Sequence, residues 1–573
     1  MNWKNVTLGL FVFIAGFSAC NKATLPKQKE AVIKNYDPYG ADWKSIERME
    51  HKALGNSIIT KVDSILVKAL EEENTAQIFK ALAYRSKYTN QIEEESNLKI
   101  FNQYEDQIKN SAFPLKQLLH SALAELYHQY YNQNRWKFQN RTTTQSFDRQ
   151  DIRTWSLADI LKKVDAHYRS SLSEKEDLLS YPTDNLQDIL YATDAKQSKN
   201  QFDGKSLQPT LFDFLASRAL QYYQQNEGRI NTPQDKFKID RYPIFCSASE
   251  FAKIDFNNPD TNSNYFKTAL LIQELITAHI KDSDKSPLLH IELTRLRHYY
   301  SVSQKRKKDE LYWNSLMVLK ENFSESKNSK EVEYAMAKYH FERGSNYAKK
   351  ESEDYRWELK KAFQISSAGS EGKSYGAIQC QHLTKQIELK TLKLQTEKVY
   401  LPSEKIQYIV HAKNIDSLVF SVIRITNTIE NFQNKNETTE DYIKRLSKIK
   451  SVLKWKDPLP NPGDYREHSY CFNFDAISKG KYLLVASTAN NFSSQSATTN
   501  FIEFQVSELS FISKNENKGV VDFYLLNRST GKPTPNVKLT RYFFDYSYNS
   551  RKNQLKISGT HQSDNNGFVQ IST

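Results

Sequence analysis

Near Val399 the spacing of apolar side chains changes from about 3.6 residues to about 2, and no single kind of layer accommodates both periods. Over residues 44–396 apolar positions recur as on one face of a helix. Leu115, Leu118, Leu119, Ala122, Leu123, Leu126, Tyr127 and Tyr130 keep that order without a break. Pro114 stands just before them, where a first helical turn accepts proline. Shorter stripes run through Leu211, Phe214, Leu215, Ala219 and Tyr222; through Phe266, Ala269, Leu270, Gln273 and Ile276; and through Tyr334, Ala337, Lys338, Phe341 and Tyr347. Clusters of Asn, Asp, Ser and Pro at 257–260 and 326–329 separate them. Downstream, Ile406, Tyr408 and Val410 alternate with polar residues, as do Ile502, Phe504 and Val506. Leu418 to Ile425 and Tyr482 to Ala486 are continuous apolar runs, expected as buried strands. The chain is therefore expected to fold as helices first and sheets afterwards.

The helices are expected to pair. Tyr334 to Gly344 places small residues among aromatics and resembles the first helix of a tetratricopeptide-like hairpin, with Trp357 to Ser367 as its partner. One helix cannot bury its own stripe, whereas stacked pairs can, so residues 44–396 are expected to form a degenerate helical-repeat solenoid. The strand runs, bounded by Asn, Gly and Pro, predict an antiparallel β-sandwich over 397–510. A charged insert, Asn436 to Lys450, interrupts it as an exposed helical segment. A second β unit is expected over 511–573, where Val521, Phe523 and Leu525 alternate. Gly531 and Gly567 supply turns, and Pro533 and Pro535 stiffen the crossing between them.

The N-terminus has its own pattern. Met1 to Asn5 carries one positive charge, and an apolar run from Val6 to Phe17 follows. That run is shorter than the ~18 apolar residues a membrane span needs, and it has the length of a secretion signal. It ends Phe17-Ser18-Ala19-Cys20, which resembles the lipobox of bacterial lipoproteins, although Phe17 replaces the usual aliphatic residue. The resemblance implies cleavage of residues 1–19, lipid attachment at Cys20, and a membrane partner reached through that anchor. Each buried methylene adds about 0.8 kcal/mol, so several chains on one cysteine anchor stably. Residues 20–43 are expected as a polar tether. The absence of an acidic signal after Cys20 favours the periplasmic face of the outer membrane in the cell envelope; exposure at the surface stays open.

The net charge of +13 spreads over the whole length. Lysines are interleaved with acids along the chain, and stretches such as Lys305-Arg306-Lys307-Lys308-Asp309-Glu310 mark a solvated helix face rather than a nucleic-acid track. No nucleic-acid partner is expected. Beyond Cys20 the cysteines are Cys246, Cys380 and Cys471, too few and too scattered for a disulfide framework. One bridge among them is possible, with the pairing open.

Two runs carry a family resemblance. Asn527-Arg528-Ser529-Thr530-Gly531-Lys532-Pro533-Thr534-Pro535-Asn536-Val537-Lys538-Leu539 and Ser563-Asp564-Asn565-Asn566-Gly567-Phe568-Val569 resemble the start of a macroglobulin-type β-sandwich of bacterial alpha-2-macroglobulin family lipoproteins. Leu401 to Lys405, Lys413 to Leu418 and Asp464 to Ser469 resemble the preceding domain of the long Bacteroidetes members, which also begin with a lipobox and helical repeats. The resemblance implies a non-enzymatic protein that traps or inhibits attacking proteases. It also implies that residues 511–573 begin a truncated second sandwich, and that the chain is either the N-terminal portion of a longer protein or a truncated gene product. The Cys-x-Glu-Gln thioester motif of many members is absent, since Cys246 precedes Ser-Ala-Ser, Cys380 precedes Gln-His-Leu and Cys471 precedes Phe-Asn-Phe. No bait region is recognisable.

Other chemistry finds no pattern. HExxH, HxH, P-loop and GxGxxG motifs are missing. His120 is expected at the edge of its helical stripe and His128 on the solvent side; His290 and His298 have no third ligand near them. Glu71-Glu72-Glu73 reads as an exposed helix face, and Ser247, Ser249 and Ser563 have no recognisable catalytic partners. No catalytic residue, cofactor or metal is expected, and the expected partners are the membrane, proteases or other envelope proteins. The alternative reading is an outer-membrane nutrient-binding lipoprotein with helical repeats that captures glycans.

Overall fold

The structure is a computed structural model and describes residues 38–138, 151–186, 189, 204–225, 237–257, 260–346, 355–425, 438–491, 497–516, 519–547 and 552–572. The leader, Cys20 and most of the tether lie outside the described residues. The chain divides into two compact units. The first holds residues up to Tyr339 together with Gln364–His382; the second holds His340–Phe363 and Leu383–Thr573.

The first unit is helical. Its longest helix, Leu115–Phe138, buries Leu115, Leu118, Leu119, Leu123, Leu126, Tyr127 and Tyr130, the stripe expected from spacing. Asn97–Asn110 and Leu157–Ser171 pack against it. Local chemistry sets the helix starts. Ser156 with Asp159, and Thr210 with Asp213, form reciprocal capping boxes that open Leu157–Ser171 and Leu211–Tyr223. The Asn264–His279 helix departs from expectation. Leu270 faces solvent, while Leu271, Ile272 and Leu275 fill the core. Apolar residues occur on most of its circumference, so more than one stripe fits the spacing.

His128 also departs from expectation, being 4% exposed. Its ring meets the Tyr222 ring edge-on at 5.0 Å and lies parallel to Tyr131 at 6.4 Å. The Leu211–Tyr223 helix brings Tyr222 to what spacing read as the solvent side.

The second unit carries two sheets over one core. Strands β1 (Thr391–Thr396), β3 (Ile406–Lys413) and β6 (Glu467–Phe474) form an antiparallel sheet in the order β1-β3-β6. Strands β2 (Val399–Tyr400), β4 (Ser417–Ile425), β5 (Leu453–Pro458), β7 (Gly480–Ser487) and β8 (Thr499–Val506) form the other, ordered β2-β8-β7-β4-β5. Only the β2–β8 pair in it is parallel. Leu394, Ile406, Tyr408 and Val410 from the first sheet share a core with Phe420, Val422, Leu484 and Phe504 from the second.

Strand β4 is buried on both faces, which explains its unbroken apolar run. Its outer residues Ile423 and Ile425 meet Tyr442 and Leu446 of the Thr439–Leu446 helix. The charged insert is thus a lid on the sheet rather than a wholly exposed segment. Its polar face holds the charges, and Tyr442 and Leu446, four residues apart, supply the buried side.

A further β layer follows immediately. Strands β9 (Leu509–Glu516), β10 (Val520–Asn527) and β13 (Phe568–Ser572) pair in the order β13-β10-β9, and β11 (Lys538–Ser547) pairs with β12 (Lys552–Gln562).

Candidate functional site

The runs singled out in the sequence converge on two structures within the second unit. The first is a clasp between strands and helix segments. Asp464 has a side chain 1% exposed. Its Oδ1 accepts from the Arg466 backbone N–H at 3.1 Å and lies 2.9 Å from His468 Nε2; its Oδ2 accepts from Arg356 Nε at 3.4 Å. Burial opposes ionisation of this carboxyl, but the hydrogen bonds from His468, Arg466 and Arg356 outweigh it and hold the pKa below the usual carboxylate range. Arg466 donates to the carbonyls of Arg356 and Tyr355 at 3.1 and 3.0 Å, and Tyr465 stacks on Phe363 at 4.7 Å. Asn414, in the left-handed region at φ 56°, donates from Nδ2 to the carbonyl of Ile387 at 2.7 Å and satisfies the end of the Tyr375–Glu388 helix.

The second structure pairs two turns. Asn527 Oδ1 accepts from the backbone N–H of Ser529 and Thr530 at 3.1 and 3.0 Å, and Gly531 closes that turn at φ 68°. Asp564 Oδ1 accepts from the N–H of Asn566 and Phe568, both at 2.8 Å. Register between β10 and β13 then sets the turns side by side. The Leu525 N–H donates to Gly567 O and the Thr534 N–H to Leu525 O, both at 2.8 Å. Ser563 is 3% exposed; its hydroxyl accepts from the Val537 N–H and donates to Thr534 O. It is a structural bracket. On strands of the same β layer apolar side chains stand open, with Phe511 62%, Ile512 59% and Ile557 63% exposed.

Cys20, the one site residue expected from the sequence, lies outside the described residues. Cys246, Cys380 and Cys471 are free thiols, respectively half-buried, buried and exposed. Burial pushes the Cys380 thiol up to about 12, far from a reactive thiolate. His120 faces His167, with the two Nδ1 atoms 2.9 Å apart, and desolvation lowers its pKa to about 4. Glu105, with His167 as the largest influence and Lys163 behind it, is held at about 2. His290 Nδ1 lies 2.8 Å from Glu331 Oε2. Among the described residues no group of three or more His, Cys, Asp or Glu is placed to hold a metal ion. Glu71, Glu72 and Glu73 are exposed. Ser247 caps the Ala248–Phe251 helix through a capping box with Glu250, and Ser249 lies 3.2 Å from its hydroxyl. No described helix is long and apolar enough to cross a membrane.

Sequence reading found the clasp residues as a motif but missed Arg356, Tyr355 and Phe363, which sit roughly a hundred residues upstream and show no local signal.

No family model and no curated protein matches the chain. Among solved structures, a point mutant of Salmonella alpha-2-macroglobulin is similar over 32% of this chain, at 11% identity and a TM-score of 0.16. The chain covers 15% of that protein's length.

Proposed function

We propose that this chain is a non-enzymatic, lipid-anchored envelope protein of macroglobulin type that contributes to the trapping or inhibition of attacking proteases. Its anchor is Cys20, its helical region is a repeat stalk, and its β units are macroglobulin-type sandwiches. One observation carries this reading: the runs that resemble the family lie together in consecutive β units with almost no linker. Strand β8 ends at Val506 and β9 begins at Leu509. A serial array of domains needs such joints, because a trap transmits a cleavage event through contacts between neighbours. The anchor would hold the array at the membrane, on the periplasmic face of the outer membrane, with proteases as partners.

The test uses the full-length gene product incubated with a protease. Loss of activity on a large protein substrate with retained activity on a small peptide is the expected signature. Equal loss on both, or none on either, contradicts trapping by this chain.

A further inference from the structure

We infer that the helical unit carries a binding cleft for a small acidic sugar, either a sugar acid or a sugar phosphate, whose shared chemistry is an oxygen-rich ring bearing negative charge. This inference does not rest on the macroglobulin reading. The cleft encloses about 550 Å³, a volume typical of small-molecule sites. Three helices build it. Leu157–Ser171 presents Ala158, Leu161, Lys162, Asp165 and Arg169 along one face; the end of Leu211–Tyr223 adds Tyr222, with Gln225 just beyond; the start of Asn264–His279 adds Asn264, Tyr265 and Lys267, with Asn262 before it.

The charges are arranged, not scattered. Asp165 has a side chain only 13% exposed and collects three donors. Its Oδ1 accepts from Lys267 Nζ at 2.6 Å and from the Tyr223 hydroxyl at 3.0 Å, and its Oδ2 lies 3.0 Å from Arg169 Nε. One carboxylate thus positions two cations while its own acceptor capacity is largely used. Among the described lining residues, Lys162, Arg169 and Lys267 against Asp165 leave an excess of positive charge. The amides of Asn262 and Asn264 have no hydrogen-bond partner among the described residues. The helix behind them starts with no side-chain cap, and the buried Ser263 hydroxyl at its N-cap is itself unpaired. Free backbone N–H groups and the positive end of that helix therefore add to a wall rich in donors and poor in acceptors.

The apolar side of the cleft gives it a shape that a bare ion would not fill. Ala158 and Leu161 form one strip. Tyr222 is 4% exposed, its ring stacked on Tyr168 at 5.2 Å, and the half-buried Tyr265 supplies the more accessible aromatic part of the lining. A ring that offers acceptors at its rim and a less polar face to tyrosine matches both halves. Neutral sugars would leave Lys162 and the net positive charge of the lining unmatched, and small inorganic anions would leave the Tyr265 ring unused.

Calorimetric titration of the full chain tests this with three probes: a digalacturonate, a hexose bisphosphate and neutral maltose. Saturable binding of either acidic probe, with maltose at least about tenfold weaker, is expected. The acidic probe that binds more tightly identifies the source. The double variant Lys162→Gln, Arg169→Gln should weaken that binding about tenfold or more and leave the melting temperature unchanged, because both side chains are exposed. The variant Asn264→Ala, which removes a donor but no charge, should weaken it less. Failure of both acidic probes to saturate at millimolar concentration, binding of maltose as tight as theirs, or undiminished binding by the double variant would overturn the inference.

Discussion

His279 is 2% exposed and lies between two carboxylates. Its Nε2 is 2.7 Å from Asp213 Oδ1 and its Nδ1 is 2.6 Å from Asp282 Oδ2. Burial alone would lower its pKa, but hydrogen bonding and charge from Asp213, then Asp282, outweigh burial and raise it. A raised folded-state pKa contributes stability that is fully present below the unfolded value of about 6.5 and is lost as pH rises through the folded value. The melting temperature should therefore fall as pH increases from about 6.5 into the alkaline range. His279→Gln should flatten that limb; an unaltered slope in the variant would assign the effect to other groups. A second buried pair behaves differently. Arg295 and Glu292 are joined by two hydrogen bonds of 2.6 and 2.7 Å, and Arg295 also donates to the carbonyls of Ile244 and Cys246. Arginine stays protonated throughout this range. Arg295→Met strands the Glu292 carboxylate in the core and should destabilise the first unit by about 3–5 kcal/mol, read from denaturant midpoints.

Among the elements, the paired turns depend on one backbone position. Gly567 sits at φ 70°, and a Cβ there would clash with Leu525 O and lie 3.1 Å from Thr534 N, both backbone atoms that cannot swing aside. Gly567→Ala should cost about 2 kcal/mol or more, and amide exchange in β10 and β13 should accelerate first. The need for glycine in that turn was legible in Asp564 to Phe568. The close approach of Leu525 was not, because it follows from strand register and not from local chemistry. The same division holds elsewhere. Helices and strands declare themselves through period, so Leu115–Phe138 and β3 are readable directly. Sheet order is not, since β4 is bordered by β5 and β7 through pairings distant in sequence. The Thr439–Leu446 helix was read as exposed because Tyr442 and Leu446 are few among many charges. In the clasp, Asp464 to Ser469 could be noticed, but polar side chains with partners far upstream leave no periodic trace.

At the scale of the whole molecule, the chain does not pass once from helices to sheets. It enters the second unit at His340, returns to the first at Gln364, and leaves it again at Leu383. Residues 355–363, the turn before the Glu358–Gly369 helix and that helix's first residues, take hydrogen bonds and a ring stack from Arg466 and Tyr465, so they belong to the β unit by contact though not by sequence. A chain ending at Glu388 should therefore keep protected amides in Leu115–Phe138 and lose protection over residues 355–363. Equal protection there in the short and full chains would show that the clasp adds nothing. The apolar side chains left open on β9, β11 and β12 predict that this layer is the first to yield to protease in the intact protein.

The clasp also sets a clock. Arg356 and Asp464 are 108 residues apart, so on the ribosome the first waits about 5 to 20 s for the second at ordinary elongation rates. During that interval the Phe363 ring has no partner from the later segment that carries Tyr465. A nascent chain in this state is a client for a holding chaperone, and the order of synthesis, rather than any one contact, decides when the last helices can settle.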